Sequence, residues 1–272
     1  MANEDFTTYT EVDPNNRLAI IASEITFTEL RGNEDAYVYK DMGVDYFNGN
    51  FVFLFTVNAT AVSGSGNYIL LTLANVIGDM YGDIIQASGS ALAFKMLFSS
   101  TGGYVRFYAF EVDSGTQYNS ATYYTPTQGV DYYVTLVRDE SVGTYGTLYV
   151  YIYSDSARTN LLATLSVALH TSKKDFRYIY GIQSFNWALG AYDSGYAQNL
   201  NLSGVSPTVT TQAVTAISGT TATCNGNITS VGDSPVTQHG HCWNTTGTPT
   251  TADSKTQNGA GIVGAFTSAM TG

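Results

Sequence analysis

The sequence predicts an all-β protein built from two β-sandwich modules. Apolar and polar residues alternate with a period of two along most of the 272 residues, which is the pattern of half-buried strands. The breaks carry turn residues, as at Asn48-Gly49 and at Thr101-Gly102-Gly103. No segment keeps a 3.6-residue period between caps, so many short strands at regular spacing indicate a sandwich or a barrel.

Strands are expected where the alternation is strongest. Residues 51–57 are apolar on both faces, as in a strand buried between two layers. Residues 75–85 come nearest to a helix, but Gly78 and Gly82 interrupt the pattern, so we expect a loop or one short helical turn there. The other predicted strands are residues 17–28, 36–40, 68–74, 91–98, 104–112, 132–137, 148–153, 161–169, 176–184 and 196–202.

The composition changes near residue 203. All 21 tyrosines lie before this point, and Thr, Gly and Asn dominate after it. A Gly-, Ser- and Pro-containing stretch at such a change marks a domain boundary. We therefore predict a first module over residues 1–203, a linker at residues 204–206 and a second module over residues 207–272.

The charge balance argues against nucleic acid as a partner. Eleven basic residues stand against 22 acidic ones, for a net charge of -11, whereas a duplex-binding surface needs clustered Lys and Arg. The densest basic run, Lys173-Lys174 with Arg177, is interrupted by Asp175. The sequence has no run of about 18 apolar residues, so no membrane-spanning helix is predicted. Residues 1–6 show none of the features of a secretory signal.

One stretch of the first module has a recognisable strand order. A strand that reads YYVTLVRD (132–139) is followed by one that reads LYVYIYSD (148–155), by a hairpin return over residues 157–165 and by a closing strand at residues 195–200. This order resembles the concanavalin or laminin-G type of sandwich over residues 5–203. The resemblance implies that the first module is a jelly-roll β-sandwich.

The second module carries a more specific motif. It reads PTVTT at residues 207–211, TTATCNGNIT at residues 220–229 and VTQHGHCW at residues 236–243. The motif resembles the fibronectin-type-III-like repeat of bacterial surface proteins and phage structural proteins, and it implies an immunoglobulin-like sandwich. In that family two more strands follow, whereas this sequence ends at Gly272, so we expect the second module to be incomplete.

An incomplete sandwich has an open sheet edge and uncovered apolar residues. We expect the uncovered residues to lie around Ile228, Trp243 and Phe266. An added strand can supply the missing main-chain hydrogen bonds. We therefore expect a neighbouring subunit or downstream residues to complete this module.

The carboxylates of the first module test whether it is a glycoside hydrolase. A retaining mechanism needs two carboxyl groups about 5–5.5 Å apart, which jelly-roll enzymes place on an E-x-D-x-x-E strand. Glu111-Val112-Asp113 begins that pattern, but Thr116 occupies its last position and Ser114-Gly115 turns the chain. His170, the one histidine of this module, precedes a polar loop and is expected to be solvated. We predict no catalytic residues and no enzymatic activity.

The cysteines and two histidines of the second module form no clear metal signature. His239 and His241 lie beside Cys242, but on a strand the histidines share one face and the cysteine lies on the other. We therefore do not expect a metal there. Cys224 and Cys242 fit no zinc spacing, and both a disulfide and a pair of buried free thiols remain open.

A calcium site and a contact surface remain as binding predictions. The laminin-G resemblance implies one calcium ion on a rim loop, and Asp79 and Asp83 share a glycine-containing loop that offers carboxylates. Asp41 and Asp45 form a second such pair. The alternative is that these are solvated loop acids with no ion.

The predicted contact surface is a row of tyrosines. Tyr149, Tyr151 and Tyr153 share one face of a predicted strand. Because sugars stack on aromatic rings, we expect this face to contact a glycan or a neighbouring subunit. The alternative is that the row is simply the second face of a buried strand.

These features indicate a non-enzymatic virion structural or adhesion protein, such as a phage tail-fibre, head-fibre or decoration component. A virion protein reaches the outside of a cell without an export signal. We expect it on a virion or an extracellular surface, in contact with copies of itself, other virion proteins or surface glycans. The first alternative is a bacterial carbohydrate-binding adhesin, and the second is a glycoside hydrolase. We expect no cofactor other than calcium, no nucleic acid and no membrane insertion.

Overall fold

Strands make up most of the protein, as the alternation predicts. The structure is a computed structural model that describes residues 3–44, 46–99, 101–172, 175–185, 187, 191–202, 207–231 and 236–271. The chain divides into two compact units, Met1–Ser203 and Gly204–Gly272. The first unit is a sandwich of two antiparallel sheets, so the predicted all-β sandwich class is confirmed. None of the helices in the described ranges has the length and apolar character needed to cross a membrane.

The sandwich consists of sheet A and sheet B, each with seven strands in the described residues. In spatial order, sheet A contains β1 (Thr10–Val12), β4 (Tyr37–Asp41), β13 (Tyr178–Ser184), β6 (Ser65–Ala74), β7 (Ala91–Ser99), β8 (Tyr104–Asp113) and β9 (Thr116–Asn119). Sheet B contains β12 (Leu161–Ala168), β11 (Thr147–Tyr153), β10 (Tyr132–Asp139), β5 (Phe51–Ser63), β14 (Tyr192–Asn201), β3 (Glu24–Arg31) and β2 (Leu18–Ile21). A short 3-10 turn at Phe6–Thr8 precedes the first strand.

The main core lies between the inner faces of the two sheets. Phe53 and Phe55 of β5 pack there with Phe94 of β7 and Phe107 of β8. The ring centres of Phe55 and Phe94 are 5.8 Å apart and those of Phe94 and Phe107 are 4.9 Å apart, both edge to face. Burying one such side chain stabilises the fold by about 1.5–3 kcal/mol, so contacts of this kind hold the sheets together.

One predicted strand is wrong, and one ambiguous segment is resolved. Residues 17–28 form the hairpin of β2 and β3 rather than a single strand. The apolar alternation continues through the turn at residues 22–23, so the sequence pattern hides that turn. Within residues 75–85 the structure has a π-helix at Met80–Ile85, and the side chain of Asp79 caps its first turn.

The outer face of sheet A is also partly covered, by residues 75–90. A second, smaller apolar cluster forms there, from Tyr37, Ile69, Ala74, Met80, Ile84, Ala91, Ala93, Phe110, Val112, Tyr180 and Phe185. The Tyr180 hydroxyl fixes the segment, because it donates to the Val76 carbonyl at 3.0 Å and accepts from the Gly78 N–H at 3.1 Å. Sheet A therefore has an apolar cluster on each side.

The second unit contains a three-stranded sheet and a two-stranded ribbon in its described part. The sheet has the order β15 (Thr208–Ser218), β16 (Thr221–Ser230) and β19 (Gly264–Thr271), and the ribbon pairs β17 (Cys242–Trp243) with β18 (Ser254–Lys255). All these pairings are antiparallel.

Of the three apolar residues expected to be uncovered in the second unit, one is buried and two are half-buried. Ile228 is only 3% exposed, and Gly261 lies against the end of its side chain. Trp243 and Phe266 are half-buried. Exposed apolar side chains lie at two places in this unit: Val209 and Ile217 of β15 are 62% and 75% exposed, and Ile262 and Val263, just before β19, are 84% and 58% exposed. β15 is also an edge strand of its sheet.

Candidate functional site

The three tyrosines predicted as a contact surface lie on the outer face of sheet B. Tyr149 and Tyr151 of β11 stack, with ring centres 5.9 Å apart and planes at 11°. Tyr151 and Tyr153, however, are only 4% and 3% exposed, and Tyr149 is half-buried. A ring with no open face cannot stack on a sugar. Of the three predicted residues, therefore, Tyr149 is the one whose ring is partly accessible to a ligand.

The loop after β11 folds back over this same outer face. Arg158 donates from Nη2 to the carbonyl oxygens of Phe55 and Val134, at 3.3 and 3.4 Å. These carbonyls belong to β5 and β10, so the arginine extends from β11 across the next two strands. Because the inner face is filled by the main core, the arginine lies on the outer face. The protein's own loop thus covers part of the sheet B surface.

The outer face of sheet A carries a larger group of aromatic rings, which we call the aromatic face. It begins with Tyr37 and Tyr39 of β4 and Tyr178 and Tyr180 of β13. Their ring centres lie 5.8 to 6.1 Å apart across and along the strands. Tyr37 and Tyr180 are buried, and Tyr39 and Tyr178 are half-buried. The remaining rings of the aromatic face are Tyr81, Tyr104, Tyr108, Phe110, Tyr123, Phe185 and Trp187.

One end of the aromatic face is a stack of three rings. Trp187 lies on Tyr81 with ring centres 5.6 Å apart and planes at 18°, and Tyr81 lies on Phe185 at 6.1 Å and 29°. The backbone N–H of Tyr81 donates to the Phe185 carbonyl at 3.1 Å, which fixes the stack to the end of β13. Trp187 is 63% exposed. The stack therefore presents a flat, supported indole to the solvent.

The other end contains a buried lysine. Lys95 of β7 is 5% exposed, and its Nζ lies 4.2 Å from the centre of the Phe110 ring and 5.5 Å from that of Tyr108. In the described part of the chain, no carboxylate or other acceptor lies within hydrogen-bonding distance of this ammonium group. Burial lowers the pKa of Lys95 to about 8, because the charged form is removed from water.

Arg106 of β8 lies next to this lysine on the same outer face. Its guanidinium is 4.0 Å from the ring centre of Tyr104 and 4.1 Å from that of Tyr123, so it has an aromatic ring on two sides. Its Nε is buried and has no hydrogen-bond partner among the described residues. The Tyr123 ring is 5.8 Å from the Tyr108 ring, and it therefore connects the surroundings of Arg106 and Lys95.

Asp79 and Asp83, the predicted calcium ligands, lie close together, and Asp35 joins them. One carboxylate oxygen from each of the three lies within 4.8 Å of the others. Asp79 Oδ1 also accepts the N–H groups of Tyr81 and Gly82 at 2.8 and 2.7 Å, and Asp83 Oδ2 accepts the Asp79 N–H at 3.0 Å. Two of the carboxylates thus hold the backbone of the π-helix.

Burial and the charges of these carboxylates raise pKa values in and beside this acidic group. Burial raises the pKa of Asp35, and the nearby charge of Asp83 raises it further. Burial also raises the pKa of Tyr37 to about 12, with added contributions from Asp35 and Asp83. Of the other predicted pair, Asp41 forms an ion pair with Arg177 at 2.5 Å, and Asp45 lies outside the described residues.

Glu111, the first residue of the partial hydrolase motif, lies on the inner face of sheet A and is 1% exposed. Its carboxylate accepts the backbone N–H of His170 at 3.1 Å and lies 2.8 Å from the His170 Nδ1. The imidazole stacks on Tyr118 with ring centres 3.5 Å apart. Burial raises the pKa of Glu111, and the hydrogen bonds from His170 oppose that shift. His170 is exposed, as expected, but it is also bonded to a buried carboxylate.

A second buried carboxyl group belongs to Asp193 of β14, which is 0% exposed. No described group donates a well-aligned hydrogen bond to either of its oxygens. Burial raises the pKa of Asp193 well above its usual range, and the backbone of Ser194 opposes this effect only weakly. An ionised carboxylate would be costly at this position, so the protonated form is favoured.

Cys224 and Cys242 are free cysteines in the structure. Cys224 is buried on β16, and Cys242 is half-buried on β17, in the separate ribbon. His239 and His241 use their Nδ1 atoms for bonds of 2.8 Å to the Gly259 carbonyl and 3.0 Å to the Ser268 hydroxyl.

Sequence comparison identifies no relative of this chain. No protein-family model matches it, and no curated protein matches it.

Several solved structures are similar in fold. The CBM2 module of the evolved Dit of Lactobacillus casei BL23 phage J-1 is 11% identical, with a TM-score of 0.36, over 61% of this chain and 77% of that one. The exoplasmic/lumenal domain of VIP36 in its Ca2+/Man3GlcNAc-bound form is 10% identical, with a TM-score of 0.43, over 74% and 85%. Tailspike protein 2 of Escherichia coli O157:H7 bacteriophage CAB120 is 11% identical, with a TM-score of 0.37, over 84% and 26%.

The similar structures also include lyases and a GH43 protein. Similarity at this level adds nothing to the β-sandwich that the described strands of this chain show directly. A fold of this kind does not by itself assign a function, which must be argued from the residues of the site.

Proposed function

We propose that this protein is a non-enzymatic, glycan-binding structural or adhesion protein and that the aromatic face is its binding surface. The observation that carries the proposal is the stack of Trp187 on Tyr81, in which a 63% exposed indole is supported from behind by a second ring. Aromatic side chains combine a large apolar surface with polar groups at the ring edge. That combination suits a sugar, which has apolar C–H faces and polar hydroxyl edges.

The polar residues of the first unit support binding rather than catalysis. Glu111 is buried between the sheets, on the face of sheet A opposite to the aromatic face. Asp79 and Asp83, on the aromatic side, accept backbone N–H groups of the π-helix. A retaining glycosidase needs two carboxyl groups that flank one bond of a bound substrate. Glu111, Asp79 and Asp83 serve structural contacts instead.

The proposal is tested by removing the exposed ring. Trp187→Ala should weaken binding to a glycan identified on an array by about tenfold or more, since exposed aromatic residues often dominate binding surfaces. Tyr145→Ser is the matched control, because Tyr145 is also exposed (43%) but lies in the loop before β11. Equal affinity of the wild type and Trp187→Ala would contradict the proposed surface.

We also propose a location on a virion or another extracellular surface. The glycan-binding proposal supports such a location. Immunogold labelling of purified phage particles tests it directly, because a virion component should be labelled on every particle. Labelling of bacterial cell surfaces in an uninfected culture would favour the alternative, a bacterial adhesin.

We propose that a second copy of this chain pairs with edge strand β15. Each of its eleven residues is exposed, and none is charged, although charges on edge strands are a common protection against pairing. Only Asp233, Asp253 and Lys255 carry charge after residue 203. Copies of the second unit therefore repel one another little, whereas the first unit carries most of the net charge of -11.

Sedimentation velocity tests this pairing. The wild type should show a concentration-dependent dimer, and Ile217→Lys should remove it, because a charge would enter the paired edge. Val130→Lys changes a residue of the first unit that is 43% exposed and serves as the control. A monomer at all concentrations for the wild type would contradict self-pairing and leave another protein as the occupant.

A further inference from the structure

We propose that the β7–β8 end of the aromatic face binds an anionic saccharide, and that Lys95 and Arg106 recognise its carboxylate or sulfate groups. This inference rests on the proposed glycan-binding function. It goes further by stating the charge of the ligand and the residues that read it.

The first argument is the isolation of the Lys95 ammonium group. A buried cation is normally paired with an anion or hydrogen-bonded to acceptors. Lys95 is 5% exposed, and its Nζ lies 4.2 Å from the centre of the Phe110 ring and 5.5 Å from that of Tyr108. The described residues supply no anion. The cation–π contacts offset part of the cost of burial, and a ligand anion would supply the missing charge.

The second argument is the orientation of Arg106. Its guanidinium lies between the rings of Tyr104 and Tyr123, each about 4 Å away. Rings on its two faces leave the N–H groups directed outward in the guanidinium plane, where a carboxylate or sulfate can accept two of them at once. The Nε atom is buried and has no partner among the described residues, so a ligand would be bound by the Nη atoms of this guanidinium.

The third argument is that the cations and the stacking surface form one site. Tyr123 is 47% exposed, it covers the Arg106 guanidinium, and its ring is 5.8 Å from that of Tyr108, beside which Lys95 lies. A sugar ring stacked on Tyr123 would therefore place its substituents near both cations. Positive charge is scarce in a chain of net charge -11, so two cations without carboxylate partners at one aromatic surface favour a negatively charged ligand.

Paired polysaccharides that differ only in charge test the inference. Polygalacturonate is compared with its methyl ester, and dextran sulfate with dextran, by affinity electrophoresis and calorimetry. The first pair reports a carboxylate and the second a sulfate. The wild type should bind at least one anionic member about tenfold or more tightly than its neutral partner, since a charge-assisted hydrogen bond is roughly twice as strong as a neutral one.

Lys95→Met and Arg106→Gln should each remove that preference. Met fills the space of the lysine stem without its charge, so this variant should keep the fold, as checked by its melting temperature. Lys255→Gln removes one positive charge from the second unit and is the control, and it should keep the preference.

The outcomes separate this inference from the proposal on which it rests. Equal binding of charged and neutral partners, weakened in both by Trp187→Ala, would overturn the inference and leave the glycan-binding function standing. An unchanged preference in both Lys95→Met and Arg106→Gln would overturn it as well. If neither member of either pair binds, both the inference and the proposed function fail.

Discussion

The carboxylate of Glu111 accepts the backbone N–H of His170 at 3.1 Å and lies 2.8 Å from the Nδ1 of the same residue. Glu111 belongs to β8 of sheet A, and His170 follows β12 of sheet B. The pair therefore connects the two sheets. The carboxyl group that begins a hydrolase-like pattern in the sequence is used here as a link between the layers of the sandwich.

Glu111→Gln should lower the stability of the fold. Because we propose a non-enzymatic protein, we expect no glycosidase activity in the wild type or in this variant. The amide keeps one acceptor, but its NH2 group faces the N–H donors of His170, so we expect a loss of about 1–3 kcal/mol in urea unfolding. Glu11→Gln, at an exposed glutamate of β1, should change stability by less than about 0.5 kcal/mol. Wild-type turnover of a β-glucan that disappears in Glu111→Gln would overturn the non-enzymatic proposal.

Asp193→Asn should change how stability depends on pH. The folded-state pKa of Asp193 is raised by burial, so its favourable contribution is present near pH 4 and is lost as the pH rises through the folded-state pKa. The asparagine variant lacks this loss. Its free energy of unfolding should equal that of the wild type near pH 4 and should be higher at pH 8, by about 1 kcal/mol or more. Asp175→Asn, at an exposed position, should show no such divergence.

Lys95→Met should stabilise the protein at neutral pH. The pKa of Lys95 falls from 10.5 to about 8 on folding, so the unfolded state binds more protons between these values and wild-type stability rises with pH across that window. The full effect is on the order of 3 kcal/mol. Denaturant unfolding at pH 7 and pH 9.5 should show a stability advantage of the methionine variant that narrows at the higher pH. A constant advantage would indicate an effect of packing rather than charge.

Substitutions in the tyrosine row of β11 should separate packing from contact. Tyr151 is 4% exposed, so Tyr151→Ser should cost about 3 kcal/mol or more through the cavity that it leaves. Tyr149→Ser, at a half-buried residue, should cost clearly less in the same unfolding experiment. Neither variant should alter glycan affinity at the aromatic face. If Tyr149→Ser loses glycan binding at unchanged stability, the binding site lies on sheet B and not on the aromatic face.

Asp79→Ala should destabilise the π-helix segment even when calcium is chelated. Its carboxylate accepts two backbone N–H groups at the start of that helix, and removal of such a cap typically costs about 1 kcal/mol. Melting in EDTA measures this effect. The calcium prediction requires more: added calcium should raise the melting temperature of the wild type, and Asp83→Asn should abolish that rise while Asp113→Asn keeps it.

The fold was largely predictable because strand alternation is a local property of the sequence. Leu148, Val150 and Ile152 enter the core from one side of β11, as their spacing of two indicates. The same spacing cannot show whether the opposite side is open. Tyr151 and Tyr153 are buried on that side, where Arg158 of the following loop binds carbonyls of β5 and β10.

The candidate site was less predictable because its residues come from several strands. Tyr39, Tyr178, Lys95 and Tyr108 lie on β4, β13, β7 and β8, and the spatial order of sheet A brings these strands to one surface. That order depends on long-range pairing and cannot be obtained from spacing along the chain. Two signals are nevertheless present in the sequence. Tyr37 and Tyr39 are two residues apart on one predicted strand, and Tyr178 and Tyr180 are two residues apart on another, so each pair shares one face of its strand. Asp35 was missed as a neighbour of Asp79 for the same reason.

The small cluster under residues 75–90 has a consequence for local opening. This segment packs on the outside of sheet A and is separate from the main core. It can therefore detach while the sandwich stays folded, and this local opening should cost less free energy than global unfolding. Its amide hydrogens should therefore exchange with deuterium sooner than those of β5 or β10. The amides of Tyr81 and Gly82, both bonded to Asp79, would then report occupancy of the neighbouring surface, because a ligand resting on Trp187 and Tyr81 would slow their exchange.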